Sequence, residues 1–235
     1  MSSNANYIDY EELNSFSPWI TTDGIDWSCI TKGLTPKKYS KNSIVCYQDS
    51  FSDYVYLVKD GRVHLDICSQ NGEEKTLYIA VEGTLIGELS PVDGLPNICS
   101  AIAAVDSILY LIPKATFINE MKTNCEFVSN LLYLYTKKIR YLAEDIKHIT
   151  FNNSYYRVCN ALVHLAKQYG TKSESGHKLN VKFTHQEMAN LTGLSRVSVS
   201  NIISDMGSQG ILKKEDGYLI IKDIYSILSY VAENT

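Results

Sequence analysis

Gly87 and Gly94 punctuate the stretch TLIGELSPVDGLPNICSA, Thr84 to Ala101, and Gly83 precedes it. Small residues and glycines let a backbone approach a ligand closely, and such a loop can cradle a phosphate on its N–H groups. A phosphate held away from water also needs a cation beside it. Between Thr76 and Pro113 there is no Lys or Arg, whereas Glu82, Glu88, Asp93 and Asp106 are acidic. The stretch therefore has the texture of a cradle without its charge. It is expected to wall a pocket for another kind of molecule.

Other chemistry is sparse. The six cysteines (Cys29, Cys46, Cys68, Cys99, Cys125 and Cys159) form no CxxC pair and no Cys/His grouping, so no metal or other cofactor is expected. No Ser/His/Asp or Cys/His arrangement falls on neighbouring elements, which argues against an enzyme. His64, in GRVHLDIC, fits a strand residue better than a metal ligand.

The segment FTHQEMANLTGLSRVSVSNIISDMGSQGILKKEDGYLII carries a different chemistry, the reading of nucleic acid. Thr184 and Glu187 have capping-box spacing, and Ser195 can cap a second helix. Gly193 lies in the short turn between them. Ala189, Leu194, Val199 and Ile202 would pack the helix pair together. Arg196, Val197, Ser198, Ser200 and Asn201 are left at the start and outer face of the second helix, where they can enter a major groove. GILKKEDGYLII turns at Asp216-Gly217 and predicts a wing that offers Lys213 and Lys214 to phosphates. From Asn152 onward nine Lys and Arg stand against seven Asp and Glu, a surplus of two positive charges in a chain whose net charge is −4. Double-stranded DNA bound by a dimer, with strong salt dependence, is the expected partner.

These groups must be positioned by larger elements. Thr31 to Pro113 alternates in short runs broken by turn signals, among them the hairpin dipeptides Asp60-Gly61 and Asn71-Gly72, and predicts an antiparallel sandwich or barrel. From Phe117 to Thr150 no Gly or Pro interrupts a helix. Val128, Leu132, Tyr135, Ile139, Leu142, Ile146 and Ile149 follow a heptad seam suited to pairing with a second copy, while Leu131, Leu134 and Tyr141 can pack on the β domain. YRVCNALVHLAKQYG predicts a further helix with a C-cap at Gly170, followed by a polar loop, TKSESGHK. The expected organisation is α+β: an extension over 1–20, a β-roll over 21–114, a dimerisation helix over 115–151 and a winged helix-turn-helix over 152–235. The 235 residues hold no apolar run near the roughly 18 needed to cross a bilayer. The first residues lack a secretory pattern, so a cytoplasmic protein is expected.

This order of parts resembles the Crp/Fnr superfamily of bacterial transcription regulators. The resemblance is carried by DYVYLVKDGRVHLDI, LIGEL, LAKQ and THQEMANLTGLSRVSVSNII. It implies a homodimer on a palindromic promoter site, contact with RNA polymerase, and a small-molecule effector between β-roll and long helix. Gly87, Glu88 and Leu89 match the phosphate cassette of cAMP-binding members, but Cys99 and Ser100 stand near the positions of its arginine–serine pair. The N-terminal cysteine grouping of the oxygen-sensing members is absent.

NGEEKTLYIA…GTLIG and YTKKIRYLA look most like the regulators of reductive dehalogenation, whose phenolate-contacting tyrosine and lysine would fall on Tyr78 and Lys138. Lys138 could pair with an acidic oxygen, with Tyr78 and Tyr135 as aromatic walls. Alternatively, Lys138 is a solvated helix lysine and Tyr78 a strand aromatic. Cyclic-AMP and oxygen-sensing members carry glutamate at the position of Val197 and arginine at that of Asn201, so an A/T-rich inverted repeat is expected here. The rival readings are a regulator controlled by thiols or by no effector at all, and a cAMP-responsive one with an atypical cassette.

Overall fold

The computed structural model describes residues 16–22, 24–173 and 176–234. They fall into two compact units, Ser17–Ala143 and a second built from Glu144–Thr235.

The first unit is a β-roll with flanking helices. In chain order it contains β1 (Trp19–Ile20), α1 (Ser28–Thr31), β2 (Lys37–Tyr39), β3 (Ile44–Cys46), β4 (Tyr54–Asp60), β5 (Val63–Cys68), β6 (Glu74–Ala80) and β7 (Leu85–Ile86). The chain continues through α2 (Leu89–Asp93), β8 (Ser100–Ala103), β9 (Ser107–Pro113), α3 (Lys114–Thr123) and α4 (Cys125–Phe151). Two sheets face each other, one ordered β1-β6-β5-β8-β3 and the other β2-β9-β4-β7. Their inward side chains, Val55, Leu65, Leu85, Leu109 and Ile112 among them, are almost fully buried. Every pairing is antiparallel except β1 with β6.

Two turn expectations need correction. Asp60-Gly61 does not close a hairpin, because β4 and β5 belong to different sheets. Gly61 is instead a corner at φ +102°, where a Cβ would lie 2.3 Å from Ser107 Oγ, so the chain can cross between sheets only without a side chain there. Asn71-Gly72 does lie in a hairpin, between β5 and β6. Only Gly72 of the pair has positive φ, and its N–H donates to Ser69 O, so the turn is not type I′.

The single long helix expected from Phe117 is two helices. Asn124 breaks it with extended backbone, φ −123° and ψ 99°. Its Oδ1 accepts the Phe127 N–H and its Nδ2 donates to Glu120 Oε2. An asparagine that offers the backbone an alternative partner ends one helix and starts the next as effectively as glycine or proline. The break seats Phe127 edge-on between Trp27 and Phe117, with ring centroids 5.8 and 5.4 Å away.

Along α4 the two apolar edges separate as the spacing implied. Leu131, Leu134 and Tyr141 are buried. On the seam, Leu132, Ile139 and Ile146 are 60, 66 and 65 % exposed, and Val128, Tyr135 and Leu142 are half-buried.

The second unit continues with α5 (Ser154–Tyr169), β10 (Gly170–Ser173), β11 (Gly176–Leu179), α6 (His185–Thr192), α7 (Arg196–Ser208), β12 (Leu212–Glu215), β13 (Tyr218–Ile221) and α8 (Ile224–Glu233). The expected polar loop is a strand pair, β10 with β11, and Glu174 and Ser175 within it lie outside the described residues. β11 pairs with β13 of the wing, giving a sheet ordered β10-β11-β13-β12. Gly170 ends α5 in extended rather than left-handed backbone. A Cβ there would meet Ala166 O at 2.3 Å, so close approach, not positive φ, selects glycine. The wing turn is as expected: Asp216 and Gly217 have φ of +52° and +82°, the signature of a type I′ turn. Among the described residues no helix is long and apolar enough to cross a membrane.

Candidate DNA-reading face and effector pocket

The helix-turn-helix is built by local chemistry. Thr184 Oγ1 accepts the Glu187 N–H at 3.1 Å and Glu187 Oε2 accepts the Thr184 N–H at 2.7 Å, completing the capping box of α6. Gly193 closes α6 in left-handed backbone, φ +64°. Ser195 Oγ accepts the Ser198 N–H at 3.0 Å and starts α7. Val199 and Met206 turn inward. Arg157 of α5 donates to Thr192 O at 2.9 Å, a clamp on the turn that the sequence reading missed.

This scaffold leaves Arg196, Val197 and Asn201 exposed and Ser198 and Ser200 half-buried. Ser195 and Ser198 share a 2.8 Å hydroxyl contact and Thr184 is used by its cap, so these three position helices as well as facing outward. The two wing lysines separate. Lys213 pairs with Glu215 at 3.1 Å, whereas Lys214 lines an open groove of about 680 Å³ with Lys182, His185, Gln186 and Arg196. Lys182, His185 and Gln186 were not anticipated, because only the fold brings them beside Arg196 and Lys214.

The second site lies in the β-roll unit. Lys138 is neither solvated nor free: it is 5 % exposed, and its Nζ donates to Glu88 Oε1 at 2.7 Å and to Leu85 O at 2.9 Å. The Tyr78 ring centroid lies 4.9 Å from the same nitrogen. The ammonium is thus held by a carboxylate, a carbonyl and an aromatic face, and Glu88 is itself 2 % exposed. The cation missing from the glycine stretch is supplied by the long helix and neutralised by the stretch's own glutamate.

Two cavities flank this pair. Inside the roll, Cys46, Leu65, Tyr78, Gly87, Glu88 and Cys99 enclose a space of only about 20 Å³, about what one water needs. Outside it, Leu77, Tyr78, Leu89, Ile98, Tyr135 and Leu142 line an apolar pocket of about 310 Å³ that Lys138 and Glu88 also touch. Burial, with Glu88 as the next cause, holds the Tyr78 phenol well above its ordinary range, so it stays a neutral donor. Burial, followed by Glu88 and Asp93, likewise raises Tyr135. Its hydroxyl is buried and has no hydrogen-bond partner among the described residues. Ser100 stands apart on β8, where its hydroxyl accepts the Gln48 N–H, and it lines neither space. The Cys46 and Cys99 thiols are raised by burial to about 11 and about 12. No grouping among the described residues could hold a metal ion.

A β-roll joined to a winged helix-turn-helix defines a DNA-binding transcription regulator rather than an enzyme. Residues 36–124 match the cyclic nucleotide-binding domain family and residues 156–227 the Crp-like helix-turn-helix domain family, together more than half of the chain. The chain belongs to the Crp/Fnr family of transcription regulators.

It is similar to the CRP-like cAMP-activated global transcriptional regulator of Mycobacterium tuberculosis, 24 % identical over 83 % of this chain and 88 % of the relative. The cyclic AMP receptor protein of Thermus thermophilus is 25 % identical over 79 % and 82 %. Among solved structures, CprK complexed with OCPA (C200S) superposes with a TM-score of 0.70 at 19 % identity, covering 92 % of this chain and 98 % of that one.

Proposed function

We propose that the protein is a homodimeric regulator switched by a small, mainly apolar molecule, aromatic or carboxylate-bearing, bound in the pocket between β6, α2 and α4. The observation that carries this is the contrast between the two cavities. The outer one, about 310 Å³, is at the lower end of ligand-pocket volumes and is walled by apolar and aromatic side chains. The space inside the roll, about 20 Å³, has no room for a nucleotide and no unpaired cation for its phosphate. CprK, of similar fold, is complexed with OCPA. The names of the cAMP-activated relatives favour a second reading, cAMP, which would require the roll to open and Lys138 to leave Glu88. Thiol control through Cys46 and Cys99 is disfavoured by burial, which keeps both protonated.

A thermal-shift screen separates the readings. A ligand at a hundredfold excess over its Kd adds about 2.7 kcal/mol. We expect that stabilisation from aromatic acids or neutral aromatics and none from cAMP; specific stabilisation by cAMP overturns the pocket assignment.

The exposed seam of α4 supports pairing with a second copy, which would present two α7 helices to half-sites about one helical turn apart. RNA polymerase is the further partner of such a promoter-bound dimer. Val197, 69 % exposed, offers a thymine methyl contact, and Asn201 suits adenine. Footprinting should find an A/T-rich inverted repeat, and obligatory G·C pairs at the inner half-site positions would sink this assignment.

A further inference from the structure

We propose that His185 is a proton-linked phosphate contact, so that binding to DNA takes up a proton at each α6 and tightens as the solution is acidified. This rests on the DNA-reading face described above and goes beyond it, since it assigns a residue and a dependence that the helix-turn-helix alone does not imply.

The geometry carries the inference. His185 is the first residue of α6 and is half-buried in the groove lined by Lys182, Arg196 and Lys214. Arg196 of α7 and Lys214 of β12 both act on the imidazole, and Lys182, from the segment before α6, lines the same groove. The acid on its own helix, Glu187, is turned back onto the Thr184 N–H. Lys182 also lies over the Tyr218 ring, with its nitrogen 5.3 Å from the centroid, which keeps it at the groove wall. Three cations lining one groove on the reading face form a phosphate track.

In the free protein, burial, then Lys214, then Arg196 hold the imidazole below its ordinary range, so near neutral pH it is uncharged. A phosphate oxygen brought into the groove offsets both cations and offers an acceptor for an imidazolium N–H. The folded, DNA-bound pKa is then higher than the free one. Between those two values binding takes up a proton, and by linkage affinity rises as pH falls.

The experiment uses the full-length protein and a fluorescein-labelled mixed-sequence duplex, because a phosphate contact needs no operator. Anisotropy titrations at constant low salt should show the wild type binding at least about fivefold more tightly near pH 6 than near pH 8. H185Q should lose that ratio, H185K should bind tightly at both pH values, and H177Q should behave as the wild type. A ratio unchanged in H185Q, or flat in the wild type, overturns the proton linkage. H185K binding no better than H185Q overturns the phosphate contact. Failure of every variant and of the wild type to bind any duplex overturns the DNA-reading face itself. Circular dichroism checks folding. In the wild type, the His185 C2–H resonance should titrate at higher pH once duplex is added, which holds even where a variant misfolds.

Discussion

Lys138→Met is expected to destabilise the β-roll by about 3–5 kcal/mol, because it leaves Glu88 buried with no countercharge. The measurement is direct, since the two tryptophans of the chain, Trp19 and Trp27, are both buried in this unit and their fluorescence follows its urea unfolding. Glu88→Gln alone strands the ammonium against Leu85 O and the Tyr78 ring and should also destabilise. Removing both charges together, as Lys138→Met with Glu88→Leu, should recover most of the loss, because a buried ion pair replaced by apolar side chains is often nearly neutral. The coupling between the two substitutions is therefore the quantity to extract. Equal urea midpoints for Lys138→Met and wild type would show that the pair is not buried in solution.

If two copies pair along the α4 seam as proposed, Ile139→Glu should split that dimer. Ile139 is 66 % exposed in the single chain, between Leu132 and Ile146 on the same face. A glutamate there costs the isolated β-roll little, but two copies facing each other across a seam bring like charges into an apolar interface. Light scattering should report a monomer. Affinity for the inverted repeat should fall by about 10²–10⁴, the contribution of linking two half-site contacts, while affinity for a single half-site changes little. A dimer of undiminished affinity would place the interface elsewhere.

How much of this could be read from residues depended on the range of the interactions involved. The helix-turn-helix was legible because its signals are local: Thr184 and Glu187 three residues apart, Gly193 in the turn, Ser195 three residues before Ser198. The wing turn at Asp216-Gly217 was legible for the same reason. Asp60-Gly61 carries a similar local signal and was misread, because the sheet that each flanking strand joins is decided by partners far away, β9 for one and β6 and β8 for the other. The break at Asn124 has a local cause, since an asparagine carboxamide caps helices, but it carries neither the Gly nor the Pro that marks most helix ends. The strands β10 and β11 gain their regularity from pairing with the wing rather than from their own polar sequence. The state of Lys138 was illegible: position and seam placed it near a pocket, but its partner lies 50 residues earlier. Lys182 and His185 joined the reading face for a comparable reason, with Lys214 some thirty residues further on.

The buried pair of Lys138 and Glu88 also bears on how such a protein can change ligand over generations. An arginine arising at Cys99, beside Glu88 in the small interior space, would place a second cation against one carboxylate. A descendant acquiring nucleotide affinity by that route would first pass through an overcharged, destabilised intermediate unless Lys138 had already been lost. Losing Lys138 first exposes the opposite imbalance at Glu88. Each single step is penalised and only the double step is smooth, so the salt bridge would act as a ratchet against acquiring a phosphate-binding cation inside the roll.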